Sequence, residues 1–146
     1  MKIALAADHA AYREKDALAR RLREWGHEVH DFGTHGEASV DYPDHARPAA
    51  EAVGRGDADR GILLCGTGLG PCYVANRVRG VRAALVANPF LAEMSRRHND
   101  ANVACFGARW QDLATIESLT KVWLETPFDG GRHAARIAKI HATEIR

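Results

Sequence analysis

The stretch Arg60–Cys65 carries Ile62, Leu63 and Leu64 in one unbroken apolar run and passes directly into Cys65-Gly66-Thr67-Gly68-Leu69-Gly70. An apolar run this short, closed by glycines, predicts a strand buried on both faces and a tight turn that opens a helix. Such a strand needs covering layers above and below the sheet, and the rest of the chain alternates accordingly. Lys2–Ala7 reads as another buried strand, ended by Asp8. Leu18, Leu22 and Trp25 at i, i+4 and i+7 predict a helix over Ala10–Trp25, stopped by Gly26. His27–Phe32 is predicted as a short strand, Gly33–Pro43 as an irregular surface loop and Asp44–Gly54 as a helix. After the glycine turn come a helical Cys72–Val78, a strand Val81–Ala87, a helix Pro89–His98 and a strand Asn102–Phe106. Leu113, Ile116, Leu119, Thr120 and Trp123 then share one helical face.

Five strands alternating with helices predict an α/β chain, a three-layer doubly wound five-stranded parallel sheet of Rossmann or flavodoxin type, forming a single domain over residues 1–146. Ligands of such folds bind beyond the carboxyl ends of the strands, which selects Asp8-His9, Cys65–Gly70 and the loop after Phe106. No strand follows the last segment, Arg132–Ile145, whose Ala134, Ile137, His141 and Ile145 recur at helical spacing. An apolar helix appended to a finished sheet is expected to pack on a partner subunit, giving a homodimer.

Twenty Lys and Arg against nineteen Asp and Glu leave a net charge of +1, so no field of one sign is available to hold nucleic acid or an anionic membrane. Any anion is therefore bound locally. The longest apolar runs are about five residues, against the roughly 20 that cross a bilayer, and the first residues lack a secretory core, so the expected location is the cytoplasm. Cys65, Cys72 and Cys105 form neither an even framework nor a C-x-x-C pair and are read as reduced thiols.

The turn Cys65–Gly70 aims backbone N–H groups at one place and removes the side chains that block close approach, an arrangement that holds either a phosphate or a developing enolate oxygen. The alternative is that small residues only let the helix pack close to the sheet. Walker A requires Gly-Lys-Ser/Thr where this turn ends Gly70-Pro71, and the dinucleotide fingerprint requires G-x-G-x-x-G where this is G-x-G-x-G. No acidic residue ends the next strand, which is followed by Asn88, and Arg77 stands too far along the helix to serve a thiol phosphatase. At a helix N-terminus Cys65 is a credible base or nucleophile, although a buried structural cysteine is the commoner case. Cys72 and Cys105 are read as packing. His98-Asn99-Asp100 ends a helix before a strand and offers either an acid/base with polar neighbours or a simple turn. Arg132 and Arg136 are four apart, with His133 adjacent and Arg109 near a strand end; they either clamp a phosphate or form a solvated face. The remaining histidines show no metal-ligand spacing, and neither a metal nor a cofactor is expected.

Asp8-His9-Ala10, Asp41-Tyr42-Pro43-Asp44, Cys65–Gly70, His98-Asn99-Asp100-Ala101-Asn102, Gly107-Ala108-Arg109 and Gly130-Gly131-Arg132-His133 occur in an order that resembles the type B ribose-5-phosphate isomerases across nearly the whole chain. The wider family includes galactose-6-phosphate and allose-6-phosphate isomerases. The resemblance implies a metal-free dimer or tetramer with active sites at the dimer interface, acting on a phosphosugar. It implies Cys65 as the base moving a proton between C1 and C2, Thr67 as its assistant at the oxygens and His98 as the acid that opens the furanose ring. By the same resemblance the backbone of Gly66, Thr67, Gly68, Leu69 and Gly70 stabilises the enediolate. Asp8, Tyr42 and Asn99 hold hydroxyls, and His9, Arg109, Arg132 and Arg136 surround the phosphate, partly across subunits.

The chain also departs from the pattern. Pro71 stands where one branch of the family carries glutamate as base, which leaves Cys65 as the matching base, and Pro71-Cys72-Tyr73 replaces the usual continuation of the cysteine branch. Ala11 replaces a common glycine, and Asn88-Pro89-Phe90 replaces a segment that often holds aspartate. Proline also removes one N–H from the first turn of the helix. The expected activity is interconversion of ribose 5-phosphate and ribulose 5-phosphate. The alternatives are the same chemistry on erythrulose 4-phosphate, allose 6-phosphate or galactose 6-phosphate, or a non-catalytic phosphosugar-binding subunit.

Overall fold

Alternate residues of the central strands point to opposite faces of one sheet and divide the interior into two cores. The structure is a computed structural model that describes residues 1–144. Its strands β1 (Lys2–Ala7), β2 (Glu28–Asp31), β3 (Arg60–Cys65), β4 (Ala83–Leu85) and β5 (Val103–Gly107) form a parallel sheet in the order β2-β1-β3-β5-β4. The helices are α1 (Tyr12–Glu24), α2 (Tyr42–Gly54), α3 (Leu69–Ala75), α4 (Pro89–Arg97), α5 (Leu113–Glu125) and α6 (Arg132–His141). The expected three-layer parallel architecture is present, with the last two strands exchanged relative to the flavodoxin order.

On one face Ile3, Leu5, Ile62, Leu64 and Phe106 pack with Leu18 and Leu22 of α1 and Ile116, Leu119 and Trp123 of α5. The other face is built from small groups: Ala4 and Ala6 meet Ala46, Ala49 and Ala50 of α2, joined by Leu63, Val103 and Cys105. Alanine on both sides lets α2 lie close to the sheet, which brings Tyr42, at the start of that helix, to the rim where β1 and β3 end. Cys105 is fully buried there, and burial pushes its thiol well above the usual range, in keeping with a packing role.

Several boundaries differ from the sequence expectation for local reasons. The turn is tighter than predicted, because Gly68 takes a left-handed φ of 82° and α3 begins at Leu69. β4 is three residues long because it is the edge: the Asn76 side chain donates to Ala83 O at 2.9 Å and accepts from Ala83 N at 2.8 Å, doing there what a neighbouring strand would do. Helix α6 ends at His141, and Ile145 of the predicted apolar face lies outside the described residues. Helix α6 belongs to neither core; His133 alone on it is buried, and Ile140 is half exposed. No described helix is long and apolar enough to cross a membrane.

Candidate active site

The carboxyl ends of β1, β3 and β5 bring together ten of the residues singled out in the sequence. Cys65 ends β3, in register with Gly107 of β5, and its Sγ accepts a hydrogen bond from Gly68 N at 3.0 Å. Thr67 Oγ1 lies 3.9 Å from that sulfur and accepts from Leu69 N at 3.2 Å. Thr67 and Leu69 are exposed, and the backbone N–H groups of Gly66, Thr67 and Gly70 have no partner among the described residues. Asp8 is buried just past β1, where its Oδ1 accepts from Ala10 N at 2.9 Å and its second carboxylate oxygen has no hydrogen-bond partner among the described residues. His9 Nδ1 accepts from Val40 N at 3.2 Å, which leaves Nε2 without a hydrogen-bond partner among the described residues and ties the loop before α2 to this rim. The Tyr42 ring lies over Gly70, where a β-carbon would stand 2.5 Å from Tyr42 Cζ, and the Arg109 side chain lies in the same way over Gly66. Both glycines are thus crowded by the side chain of a neighbouring residue.

His98, Asn99, Arg132 and Arg136 sit elsewhere. In a parallel sheet a helix that leads into a strand ends beside that strand's amino end, and His98 caps the end of α4 just before β5. The length of β5, roughly 16 Å at about 3.3 Å per residue, therefore separates them from the sulfur within one chain. The His98 ring stacks on that of His133, with centroids 4.3 Å apart and planes 14° from parallel. Burial first, then the charges of His98, Arg132 and Arg136, hold the His133 imidazole below its ordinary range. Arg132, Arg136 and Asn99 are exposed beside this pair. The third member of the His98-Asn99-Asp100 trio is structural: Asp100 adopts a left-handed φ of 46° and accepts from Arg96 at 2.7 Å and Arg82 at 3.3 Å.

Two clusters of ligand-type side chains are otherwise engaged. His98, Asp129 and His133 place such atoms within 4.8 Å of one another, yet both Asp129 oxygens accept from Arg97 Nε at 3.2 Å. With Arg132 and Arg136 alongside, the surroundings suit an anion better than a cation. The Asp16, Asp31 and His35 cluster is filled by the ammonium of Lys15, which has no exposed surface and lies 2.8 Å from Asp16 and 2.5 Å from Asp31.

Two residues of this rim escaped the sequence reading. Gln111 is buried, with its Oε1 accepting from Gly107 N at 2.9 Å and its Nε2 donating to Val86 O at 2.8 Å. Trp110 Nε1 donates to Thr67 O at 2.9 Å. Neither belongs to a recognised motif, and the only cue was their place directly after Gly107-Ala108-Arg109.

The model of the family described as Ribose/Galactose Isomerase matches residues 3–140. Ribose-5-phosphate isomerase B of Escherichia coli is 41% identical to this chain, with 99% of this chain and 97% of that protein covered. A solved ribose-5-phosphate isomerase B of Clostridium thermocellum superposes with a TM-score of 0.97 at 49% identity, covering 99% of this chain and 97% of that one. The Mycoplasma genitalium ribose-5-phosphate isomerase B, solved with bound ribulose-5-phosphate, superposes with a TM-score of 0.94 at 39% identity, with 98% and 95% covered.

Proposed function

Because the chain belongs to the ribose/galactose isomerase family, we propose that it interconverts ribose 5-phosphate and ribulose 5-phosphate without a metal, at a site assembled from two copies of the chain. The observation that carries this reading is the Cys65 sulfur, which ends the central strand, receives the Gly68 N–H at 3.0 Å and faces the glycine turn.

A C–H beside a carbonyl is a very weak acid, so the reaction needs a base at the carbon and donors where negative charge develops. Cys65 Sγ as a thiolate removes the proton from C2 of the open aldose and returns it to C1, while the Thr67 hydroxyl passes the O2 proton to O1. The charge that gathers on the two oxygens meets the unpartnered amides of Gly66, Thr67 and Gly70 and the Thr67 hydroxyl. The amide that Pro71 lacks is one fewer donor at this helix start. Asp8 and Tyr42 reach the sugar hydroxyls from the same rim, and His9 and Arg109 take part of the phosphate.

His98 protonates the furanose ring oxygen, Asn99 binds a hydroxyl, and Arg132 and Arg136 complete the phosphate site. Held at the opposite end of the sheet, they reach Cys65 only from a second copy, so that two partial sites in one chain complete two whole sites in a dimer. Helix α6, which carries both arginines and lies outside both cores, is the element that packs on the partner.

The test is to prepare Cys65→Ser and His98→Ala separately and assay each on ribose 5-phosphate with EDTA present, then allow subunit exchange between them. Each alone is expected to be inactive. Random pairing makes about half of the dimers mixed, each with one intact site, so about a quarter of wild-type turnover returns. Failure to recover activity from verified mixed dimers removes the two-copy site. Preference of the wild type for allose 6-phosphate, galactose 6-phosphate or erythrulose 4-phosphate changes the substrate, and inactivity on all of them leaves a phosphosugar-binding subunit.

A further inference from the structure

The peptide between Thr67 and Gly68 makes two hydrogen bonds in opposite directions. Its carbonyl, Thr67 O, accepts from Trp110 Nε1 at 2.9 Å, and its N–H, on Gly68, donates to Cys65 Sγ at 3.0 Å. A trans peptide is planar with C=O and N–H antiparallel, so fixing the direction of one end fixes the other. The indole therefore aims the donor at the sulfur without touching it. Trp110 is about half exposed, at 49%, and its N–H is spent on this carbonyl although solvent is available to it.

The surroundings are built for that reach. A β-carbon on Gly107 would stand 2.1 Å from Trp110 Nε1 and 2.5 Å from both C and O of Thr67, so only glycine lets the indole meet the turn. Gln111 holds this glycine by its N–H at 2.9 Å and bridges to Val86 O at 2.8 Å, which fixes the segment carrying the indole. The left-handed φ of 82° at Gly68 lets the chain leave this peptide and enter α3 directly. A β-carbon there would meet Leu85 Cδ1 at 2.7 Å and the Phe106 carbonyl carbon at 2.9 Å, so the turn is confined from that side too.

We propose that Trp110 is a positioning residue for Cys65: through the Thr67–Gly68 peptide it holds an N–H donor on the sulfur and so favours the thiolate over the thiol. The proposal deepens the isomerase reading, in which that thiolate is the base. An N–H aimed at sulfur lowers the cost of carrying negative charge there. Without the indole bond the carbonyl end of the peptide loses its anchor, and the donor spends only part of its time on Cys65.

The direct readout is alkylation of Cys65 by iodoacetamide, followed by peptide mass so that Cys72 and Cys105 are distinguished. The ratio of the rate at pH 7 to the rate at pH 10 reports protonation, and differences in access cancel in it. Trp110→Phe, which keeps a ring and loses the donor, is expected to lower that ratio about three- to tenfold, the equilibrium factor of a typical hydrogen bond. Thermal stability is expected to stay near that of the wild type, because the residue is exposed. The acid limb of kcat/KM should move to higher pH in parallel. Trp110→His is expected to restore most of the ratio, since imidazole Nε2 occupies the position of indole Nε1 in the same five-membered ring. A wild-type ratio in Trp110→Phe overturns the proposal, as does a lowered ratio in Trp110→His at equal fold stability. The base assignment is judged separately: a Cys65→Ser enzyme that still exchanges the C2 proton with solvent removes Cys65 as base and leaves the alkylation result standing.

Discussion

The side chain of Arg109 lies so close over Gly66 that a β-carbon at residue 66 would stand 2.9 Å from both its Cδ and its Nε. The obstructing atoms belong to the far part of a flexible side chain, so an added methyl group displaces the guanidinium and leaves the backbone in place. In Gly66→Ala, kcat/KM on ribose 5-phosphate is expected to fall about tenfold, chiefly through KM, because the guanidinium proposed to hold the phosphate is moved while the proposed base is untouched. The melting temperature should change little. Steady-state kinetics beside a thermal melt decide it: an unchanged KM means that Arg109 does not hold the phosphate.

His133 gives the fold a pH dependence of known sign. Burial first, then the neighbouring His98, Arg132 and Arg136, lower its folded pKa below the unfolded value of about 6.5. A histidine shifted in that direction contributes stability that is fully present above the unfolded pKa and is lost as the pH falls through the folded one. Wild-type protein should therefore lose melting temperature as the pH falls below about 6.5 more steeply than His133→Gln, which cannot take the proton. Parallel pH profiles of the two proteins would sink this account of the His98–His133 stack.

Lys15 is an ammonium with no exposed surface, paired with Asp16 and Asp31. Lys15→Ala removes both a buried stem and the charge that balances two partly covered carboxylates, and is expected to cost about 3 kcal/mol of unfolding free energy. Lys15→Met keeps the stem and loses only the charge, so it should cost about half as much. Urea unfolding at one fixed chain concentration measures both. A loss below about 0.5 kcal/mol in Lys15→Ala would mean that the pair contributes nothing net.

The physical origin of each element decides how readable it was. β1 and β3 matched their expected bounds because strands hidden on both faces leave uninterrupted apolar runs. β4 was overestimated, since Val81–Ala87 is apolar enough for a strand but only Ala83–Leu85 pairs, with Asn76 in place of a further neighbour. Lys15 was assigned no place in the core, because its acidic partners are one and sixteen residues away and only the α1–β2 packing brings Asp31 to it. The candidate site divided along similar lines. The glycine turn is a contiguous motif and was visible, as were the rim residues that end strands. The Trp110 bond crosses forty-three residues of chain and leaves no local pattern.

Placing Cys65 and His98 at opposite ends of one sheet has a genetic consequence in the two-copy site proposed above. A chain lacking either residue spoils one site of a mixed dimer and leaves its wild-type partner the other, so each single defect is partly masked. A chain lacking both spoils every site it joins. At equal expression such an allele leaves about a quarter of the activity, where a single defect leaves about half, because only dimers of two intact chains keep a complete site.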